Sequence, residues 1–320
     1  MVRFTPWFGA LALVACPSPS TSPSAGSLPM SSPQSEVIRQ VPVLDSFLSQ
    51  REQGAGAPMV FLHGNPTSSC VWRNVLPSLA DRRHCIAPDL VGMGRSGKPA
   101  SAYRFQDHAR YLDAWFAALD LRDVVLVGYD WGGVLAVDWA ARHPERVRGI
   151  VLFETILQPL HWSEYPARGA ALFRTLRTPG AGEKLVLEEN GFLPASLGNG
   201  VKRGLAERDR AEYYAPYPDA ASRRPLLQWT RELPIDGEPA DVLEVVARNA
   251  TWLEASPTVP KLLLTFDGAG LSNAPTVVEW AKRAVPRLQV VPLGPAGHHA
   301  PEDAPAEIAG AIGAWLDRSP

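Results

Sequence analysis

The segment VLVGYDWGGV, residues 125–134, joins a short apolar strand to a sharp turn and then to a helix. Asp130 stands at the apex of the turn, two residues after Gly128 and two before Gly132. Such a turn crowds the backbone, and glycine at the flanking positions keeps side chains from clashing. A carboxylate at the apex is suited to attack a saturated carbon and form an ester, whereas serine there would favour acyl transfer. The segment therefore predicts a strand-to-helix elbow that presents Asp130 as a nucleophile.

Outward from this elbow, apolar strands alternate with amphipathic helices. Alternation of this kind is typical of a mostly parallel sheet covered by helices on both faces, and it predicts the α/β class. The predicted strands are 37–43 and 46–51, which form a leading hairpin, and 59–62, 85–88, 124–127, 147–153, 261–266 and 288–292. The predicted helices are 105–119, 134–142, 240–253 and a last helix that carries Ile308, Ile312 and Trp315 on one face.

One connection is too long for a simple crossover. Residues 154–260, 107 in all, separate two predicted strands that a few dozen residues would join. Residues 157–234 are rich in aromatic residues, leucine and arginine with glycine and proline breaks, which indicates short helices forming a cap. We therefore expect a core in two parts, residues 36–156 and 235–320, with a helical cap inserted between them.

Composition limits the possible partners. The 320 residues are 46% hydrophobic, and 31 basic residues nearly balance 33 acidic ones. Such a chain can bury a large core, and its charge indicates no nucleic-acid partner. No histidine or cysteine cluster has metal-ligand spacing, and no motif indicates a cofactor. Cys70 and Cys85 are expected to be buried thiols, with a disulfide between them as the alternative.

The N-terminus has the pattern of an export signal. Arg3 precedes an apolar stretch, residues 7–15, that is too short to span a bilayer as a permanent helix. The sequence LVAC, ending at Cys16, resembles the bacterial lipobox, in which the cysteine is acylated. We expect residues 1–16 to be a signal and residues 17–35 a Ser/Pro-rich tether, so that the protein is exported and membrane-anchored at the periplasmic face or cell surface. The alternative is a cytoplasmic protein with a disordered leader or a misassigned start.

Catalysis by an elbow nucleophile also requires a histidine and an acid. In α/β hydrolases the three follow the order nucleophile, acid, histidine, each after a different strand. His298 lies in the loop between the last strand and the last helix, and His299 beside it competes for the role. Glu154 and Asp267 each follow a predicted strand, and strand position alone leaves both open as the acid.

Several motifs together resemble those of a haloalkane dehalogenase. They are HGNPTSS at 63–69, WRN at 72–74, DLVGMGRS at 89–96, YDWG at 129–132 and Glu154, within a similarity that covers about residues 36–317. The resemblance implies an α/β-hydrolase fold, with an eight-stranded, mostly parallel sheet and an inserted helical cap. It also implies Asp130 as nucleophile and His298 as base, and it favours Glu154 over Asp267 as the acid.

The same resemblance implies that Asn65 and Trp131 hold the departing halide. An amide and an indole N–H can stabilise an anion in an apolar pocket, so the chemistry of these residue types agrees with that role. The expected reaction converts a small apolar haloalkane and water to a primary alcohol and halide, through an ester on Asp130 that His298-activated water hydrolyses.

Three other functions use part of this pattern. An epoxide hydrolase has the same elbow and protonates the oxirane with cap tyrosines, for which Tyr165, Tyr213, Tyr214 and Tyr217 are candidates. Epoxide hydrolases typically have the motif His-Gly-aromatic-Pro, in which an aromatic residue stands at the position of Asn65 in this chain. A haloacid dehalogenase would place arginine near the nucleophile, and a lipoprotein that only binds apolar ligands would not need the catalytic residues.

Overall fold

The computed structural model describes residue 1 and residues 35–318, apart from residues 166 and 269. The predicted signal and tether, including Cys16, therefore lie outside the described residues except for residues 1 and 35. Within the described part, no helix combines the length and the apolar character that crossing a bilayer requires.

Eight strands form one sheet in the order β1-β2-β4-β3-β5-β6-β7-β8. The hairpin β1–β2 pairs antiparallel, β2 pairs antiparallel with β4, and the pairs from β4 through to β8 are parallel. This is the mostly parallel sheet that the sequence predicts. The strands are β1 Val37–Val43, β2 Ser46–Gln53, β3 Pro58–Leu62, β4 His84–Pro88, β5 Val124–Asp130, β6 Val147–Thr155, β7 Lys261–Asp267 and β8 Leu288–Pro295.

Helices occupy the connections between the strands. Five of those described, α3–α7, follow β6 within the segment for which the sequence predicts a cap, and we refer to these five as the cap helices. The helices are α1 Phe105–Ala118, α2 Trp131–Arg142, α3 Ala167–Arg177, α4 Ala181–Glu183, α5 Phe192–Gly200, α6 Glu207–Tyr214, α7 Arg224–Arg231, α8 Ala240–Ala255, α9 Pro275–Ala284, α10 Ala300–Asp303 and α11 Pro305–Leu316, with a π-helical turn Lys184–Glu188 after α4.

The centre of the sheet positions the elbow. Every residue of β5 is buried, as expected for a parallel strand covered on both faces, and β3 and β6 flank it. The strand continues to Asp130 and α2 begins at Trp131, so that β5 ends three residues later and α2 begins three residues earlier than predicted. Asp130 pairs with Thr155 after a register shift, which lengthens the strand up to the apex.

The glycines on either side of the apex are required by space. A Cβ on Gly132 would lie 2.1 Å from the carbonyl oxygen of Leu62, and one on Gly128 would lie 2.5 Å from the carbonyl oxygen of Gly132. Neither contact is possible without moving the backbone, which confirms the reason for glycine inferred from the sequence. Elsewhere in the core, Cys70 and Cys85 are buried free thiols, so the alternative of a disulfide between them is wrong.

Candidate active site

Asp130 is held at the apex by its backbone and by its neighbours. Its φ of 50° and ψ of −132° lie in a region that side-chain-bearing residues rarely adopt. The hydroxyl of Thr155 donates to the main-chain oxygen of Asp130 at 2.7 Å, which fixes the strained turn. The backbone N–H of Asn65 donates to Asp130 Oδ1 at 2.7 Å, and the backbone N–H of Trp131 also donates to this carboxylate. Two backbone donors therefore orient the carboxylate.

His298 lies between two carboxylates. Its Nε2 is 3.3 Å from Asp130 Oδ2, and its Nδ1 is 3.1 Å from Glu154 Oε2. Glu154 is fully buried at the end of β6, where it accepts from the backbone N–H of Gly270 at 3.1 Å and from the side-chain amide of Asn273. The structure thus brings Asp130, His298 and Glu154 into one hydrogen-bonded row.

Asp267, the other acid candidate, is exposed at the end of β7. Its main-chain oxygen accepts from Lys202 Nζ at 2.6 Å, while Glu154 occupies the position beside the imidazole. The structure therefore does not bring Asp267 to His298.

The charges of this row stabilise one another. Burial by itself lowers the pKa of His298, but hydrogen bonds and attraction from Asp130 and Glu154 outweigh burial and raise the pKa to about 10. Burial likewise works to raise the pKa of Asp130, and the contacts with His298, Trp131 and Asn65 lower it overall. At neutral pH the resting site therefore holds an imidazolium next to the Asp130 carboxylate.

His299 faces away from the nucleophile. Its Nε2 is 3.1 Å from the Ser196 hydroxyl of α5, and its Nδ1 is 3.4 Å from the Tyr129 hydroxyl. Complete burial, followed by the nearby charge of His298, lowers its pKa to about 3, which keeps the ring neutral. Of the two adjacent histidines, only His298 is placed against Asp130.

A cavity of about 400 Å³ opens over the Asp130 carboxylate. Asn65 and Trp131 border it beside Asp130, and the cap contributes mainly apolar side chains such as Leu172 and Phe192. Among the described residues that line it there is no arginine or lysine. A cavity of this size and character can hold a small uncharged apolar molecule against the carboxylate.

The cap positions both predicted halide donors. Asn65 Nδ2 donates one hydrogen to the Leu226 carbonyl of α7 at 3.1 Å, which leaves its second N–H for the cavity. The Trp131 indole stacks on Trp229, also from α7, with ring centroids 4.5 Å apart and an interplanar angle of 27°. One cap helix therefore orients an amide and an indole on the wall next to Asp130.

Comparison with known proteins decides the family. Residues 57–181 match the family model of the alpha/beta hydrolase fold. A haloalkane dehalogenase from Mesorhizobium japonicum is 46% identical over 280 residues, which cover 87% of this chain and 90% of that protein. The chain belongs to the haloalkane dehalogenase family. A crystal structure of the haloalkane dehalogenase from Bradyrhizobium elkani matches with a TM-score of 0.86 at 40% identity, covering 89% of this chain and 98% of that one. The fold and family predicted from the sequence are confirmed.

Another relative of this enzyme has a different name. The coelenterazine h 2-monooxygenase of Renilla reniformis is 37% identical over 289 residues, which cover 88% of this chain and 90% of that protein. Proteins this similar thus include an oxygenase.

The cap tyrosines of this enzyme lie mostly away from the cavity. Tyr165 borders it. Tyr213 is buried and donates to Glu302, Tyr217 is buried outside the cavity lining, and Tyr214 is half-buried outside it. Of the four candidates, all of which the structure describes, Tyr165 alone borders the cavity.

Some residues of the site carry no recognisable signal in the sequence. Gly270 and Asn273, which hold Glu154, lie in the loop after β7, and Leu226 acts through its main-chain oxygen. A contact made by a loop or by a carbonyl depends on the path of the chain and leaves no motif. Ser196 was likewise missed, because its partner His299 lies 103 residues away.

Proposed function

We propose that this enzyme hydrolyses haloalkanes to a primary alcohol and halide through an alkyl ester on Asp130. The observation that carries the proposal is the carboxylate of Asp130, oriented by two backbone N–H groups and facing an apolar cavity beside Asn65 and Trp131. Among the described lining residues there is no arginine or lysine to pair with a substrate carboxylate, so an uncharged substrate fits better than a haloacid does.

In the first step, an Asp130 carboxylate oxygen attacks the halogen-bearing carbon in line with the carbon–halogen bond. The bonding electrons leave with the halide, and an ester remains on the enzyme. The free N–H of the Asn65 amide and the indole N–H of Trp131 would stabilise the charge that develops on the halogen. A fixed donor of this kind contributes about 3 kcal/mol to the stability of a transition state.

Ester formation then turns His298 into a base. The Asp130 charge that helps to raise the pKa of His298 is lost in the ester, so the imidazolium can release its proton and accept one from water. Glu154 keeps the ring oriented through Nδ1.

Hydrolysis regenerates the carboxylate. Hydroxide derived from the water adds to the ester carbonyl carbon, and the backbone N–H groups of Asn65 and Trp131 hold the resulting oxyanion. Collapse breaks the bond to the alkoxide, which takes a proton from His298. The Asp130 carboxyl then gives its own proton to the neutral His298, which restores the resting imidazolium and carboxylate. One haloalkane and one water thus give one alcohol, one halide and one proton.

The test is halide release from 1,2-dibromoethane and 1-iodohexane by the purified enzyme, followed by a single turnover in ¹⁸O-water. We expect halide and alcohol in equal amounts, with the label in the Asp130 carboxylate. If no halide appears, the activity is wrong. If the first turnover puts the label in the alcohol instead, water attacks the substrate directly and the ester is wrong.

Epoxide hydrolysis is the second candidate, because it would use the same Asp130 and because Tyr165 borders the cavity. The positions of Tyr213, Tyr214 and Tyr217 favour dehalogenation. Turnover of styrene oxide that exceeds turnover of every haloalkane tested would reverse this preference.

Export and lipidation at Cys16 form a separate proposal, which rests on the lipobox-like sequence alone. Metabolic labelling with a clickable fatty acid should mark the full-length protein and not its Cys16→Ser variant. Equal labelling of both would contradict the proposal.

A further inference from the structure

A row of buried hydrogen bonds leads from the cap to the backbone beside the nucleophile. Ser196 Oγ is 3.1 Å from His299 Nε2, and His299 Nδ1 is 3.4 Å from Tyr129 Oη. Tyr129 Oη is 2.6 Å from Thr67 Oγ1, which lies 3.1 Å from the carbonyl oxygen of Gly64. None of these side chains except Ser196 lines the cavity, and the proposed reaction uses none of them.

The direction of donation along this row follows from its end. A carbonyl oxygen can only accept, so the Thr67 hydroxyl donates to Gly64 and accepts from Tyr129. Because the Tyr129 hydroxyl donates its only hydrogen to Thr67, its oxygen can only accept at the other contact, and it accepts from the Nδ1–H of His299. A neutral imidazole has one donor and one acceptor, so with Nδ1 donating to Tyr129, Nε2 accepts from the Ser196 hydroxyl. The Ser196 main-chain carbonyl, which by itself raises the pKa of His299, is the acceptor that the opposite tautomer would use.

The protonation states suit this arrangement. Complete burial lowers the pKa of His299 to about 3 and raises the pKa of Tyr129 well above its usual value. Both rings are therefore neutral at every pH at which the enzyme would work, and each can donate once and accept once.

The peptide at the end of the row is the one that holds the nucleophile. The Gly64 carbonyl and the Asn65 N–H belong to the same peptide group, and that N–H donates to Asp130 Oδ1 at 2.7 Å. A Cβ on Gly64 would lie 2.1 Å from Asp130 Oδ1, so glycine permits this close approach. The Gly64 oxygen also accepts from the Thr67 N–H at 3.0 Å and from His63 Nδ1 at 2.9 Å.

Hydrogen bonds in a row polarise one another, and donation to a peptide carbonyl makes its N–H a stronger donor. We propose that Ser196, His299, Tyr129 and Thr67 are positioning residues that strengthen the Asn65 N–H as the donor to the ester oxygen during hydrolysis. The inference rests on the proposed function, because it concerns the second step of that reaction. Through Ser196 it connects the cap to the catalytic step.

The two chemical steps should respond differently if this is correct. A stronger Asn65 N–H stabilises the oxyanion of ester hydrolysis, but it also stabilises the resting Asp130 carboxylate and restrains its attack. Breaking the row should therefore slow ester hydrolysis while leaving halide release in the first turnover unchanged or faster. A general loosening of the site would slow both steps.

The central test is Tyr129→Phe, which removes the hydroxyl in the middle of the row. Rapid-quench measurements with saturating 1-iodohexane should give an iodide burst at least as fast as that of the unmodified enzyme, and ester hydrolysis slower by about threefold to tenfold. Tyr217→Phe is the matched control, because it removes a buried hydroxyl outside the cavity lining, and it should leave both rates unchanged. Unchanged hydrolysis in Tyr129→Phe, or an equal fall of both rates, would overturn the proposal.

A second variant covers the case in which Tyr129→Phe does not fold. Ser196→Ala removes the outer donor from a half-buried position in α5, and it should slow hydrolysis in the same direction by about 1.5-fold to threefold. If the unmodified enzyme releases no halide at all, the proposed function fails, and the role of the row in ester hydrolysis fails with it. If the unmodified enzyme gives a halide burst and the variants do not slow ester hydrolysis selectively, the inference alone fails.

A spectroscopic measurement tests the row without any turnover. In the full chain labelled with ¹⁵N-histidine, the His299 ring should be neutral with its proton on Nδ1 from pH 5 to pH 8, and its signals can be assigned by their loss in His299→Gln. In Tyr129→Phe the Nδ1 resonance should shift, because its acceptor is gone. A proton on Nε2, or titration near pH 6.5, would show that the assigned direction is wrong.

Discussion

The elbow and the cap border the same cavity, but the elbow is closely packed throughout, whereas the cap also contains open positions. At the elbow the backbone is packed so closely that a Cβ on Gly132 would lie 2.1 Å from a carbonyl oxygen, whereas a Cβ on Gly198 of cap helix α5 would meet nothing within 4 Å. Asp130 reaches the cavity from a fully buried strand, while the cap contributes half-buried side chains such as Leu172. The difference indicates that the core fixes the reacting carboxylate, while half-buried cap side chains such as Leu172 set the space for the substrate.

The largest effect should come from His298→Phe, on the core side. Without the base the ester should form but not hydrolyse, so the variant should release one halide per enzyme and then stop, with steady-state turnover lower by at least about a thousandfold. Rapid-quench halide measurement and the mass of the Asp130 peptide, increased by the alkyl group, would record this. Continued turnover at the normal rate would mean that another group is the base.

The next largest effect should separate Glu154 from Asp267. Glu154→Gln removes a carboxylate that orients His298 and raises its pKa, so turnover should fall by about a hundredfold or more and the pKa of His298 should drop below about 10. Proton NMR titration of the ring would measure that drop. Asp267→Asn is the matched control at an exposed position, and it should leave turnover near normal. The reverse result would transfer the role of the acid to Asp267.

Glycine substitutions test the packing difference directly. Gly132→Ala should lower the free energy of unfolding by at least ~3 kcal/mol, because the added methyl group meets backbone that cannot move aside. Gly198→Ala, in an open position of a helix, should raise it by about 0.5–1 kcal/mol. Urea unfolding of both variants gives the comparison. Similar destabilisation by both would remove the distinction between a rigid elbow and a permissive cap.

The smallest effect should appear in substrate preference. Leu172→Ala enlarges the cavity from the cap side and should change the ratio of kcat/KM for 1-iodohexane to that for 1,2-dibromoethane by up to about tenfold, in favour of the longer substrate. Leu205→Ala, a cap position outside the cavity lining, should leave the ratio unchanged. If Leu172→Ala instead altered the ratio of ester formation to ester hydrolysis, this side chain would act on the chemistry and not only on the space for the substrate.

Residues close together in the sequence were the ones that could be predicted. Gly128, Asp130 and Gly132 predict the elbow because a sharp turn imposes its requirements within five residues. The sequence also predicts that His298 lies after the last strand. In contrast, strand position alone could not choose between Glu154 and Asp267, because each follows a strand of the same sheet.

The tertiary structure separates these two acids by the loop that follows β7. In that loop Gly270 and Asn273 donate to Glu154 and hold it against His298, while Asp267 ends at the surface. The cap tyrosines are a similar case. Four tyrosines were candidates for the cavity because they lie in the predicted cap. The packing of the short cap helices places Tyr165 at the cavity and directs Tyr213 toward Glu302.

The sequence by itself therefore determined the alternation of strands and helices and the elbow with Asp130 at its apex, because these depend on periodicity and on short-range backbone requirements. It also indicated the family, through the resemblance of its short motifs to those of known members. Only the tertiary structure decided that Glu154 partners His298, that Leu226 holds Asn65, and that His299 faces Ser196 and Tyr129. Those contacts join residues that lie between 103 and 170 positions apart in the sequence. Their formation depends on how loops and helices pack in three dimensions, which no local pattern of residues encodes.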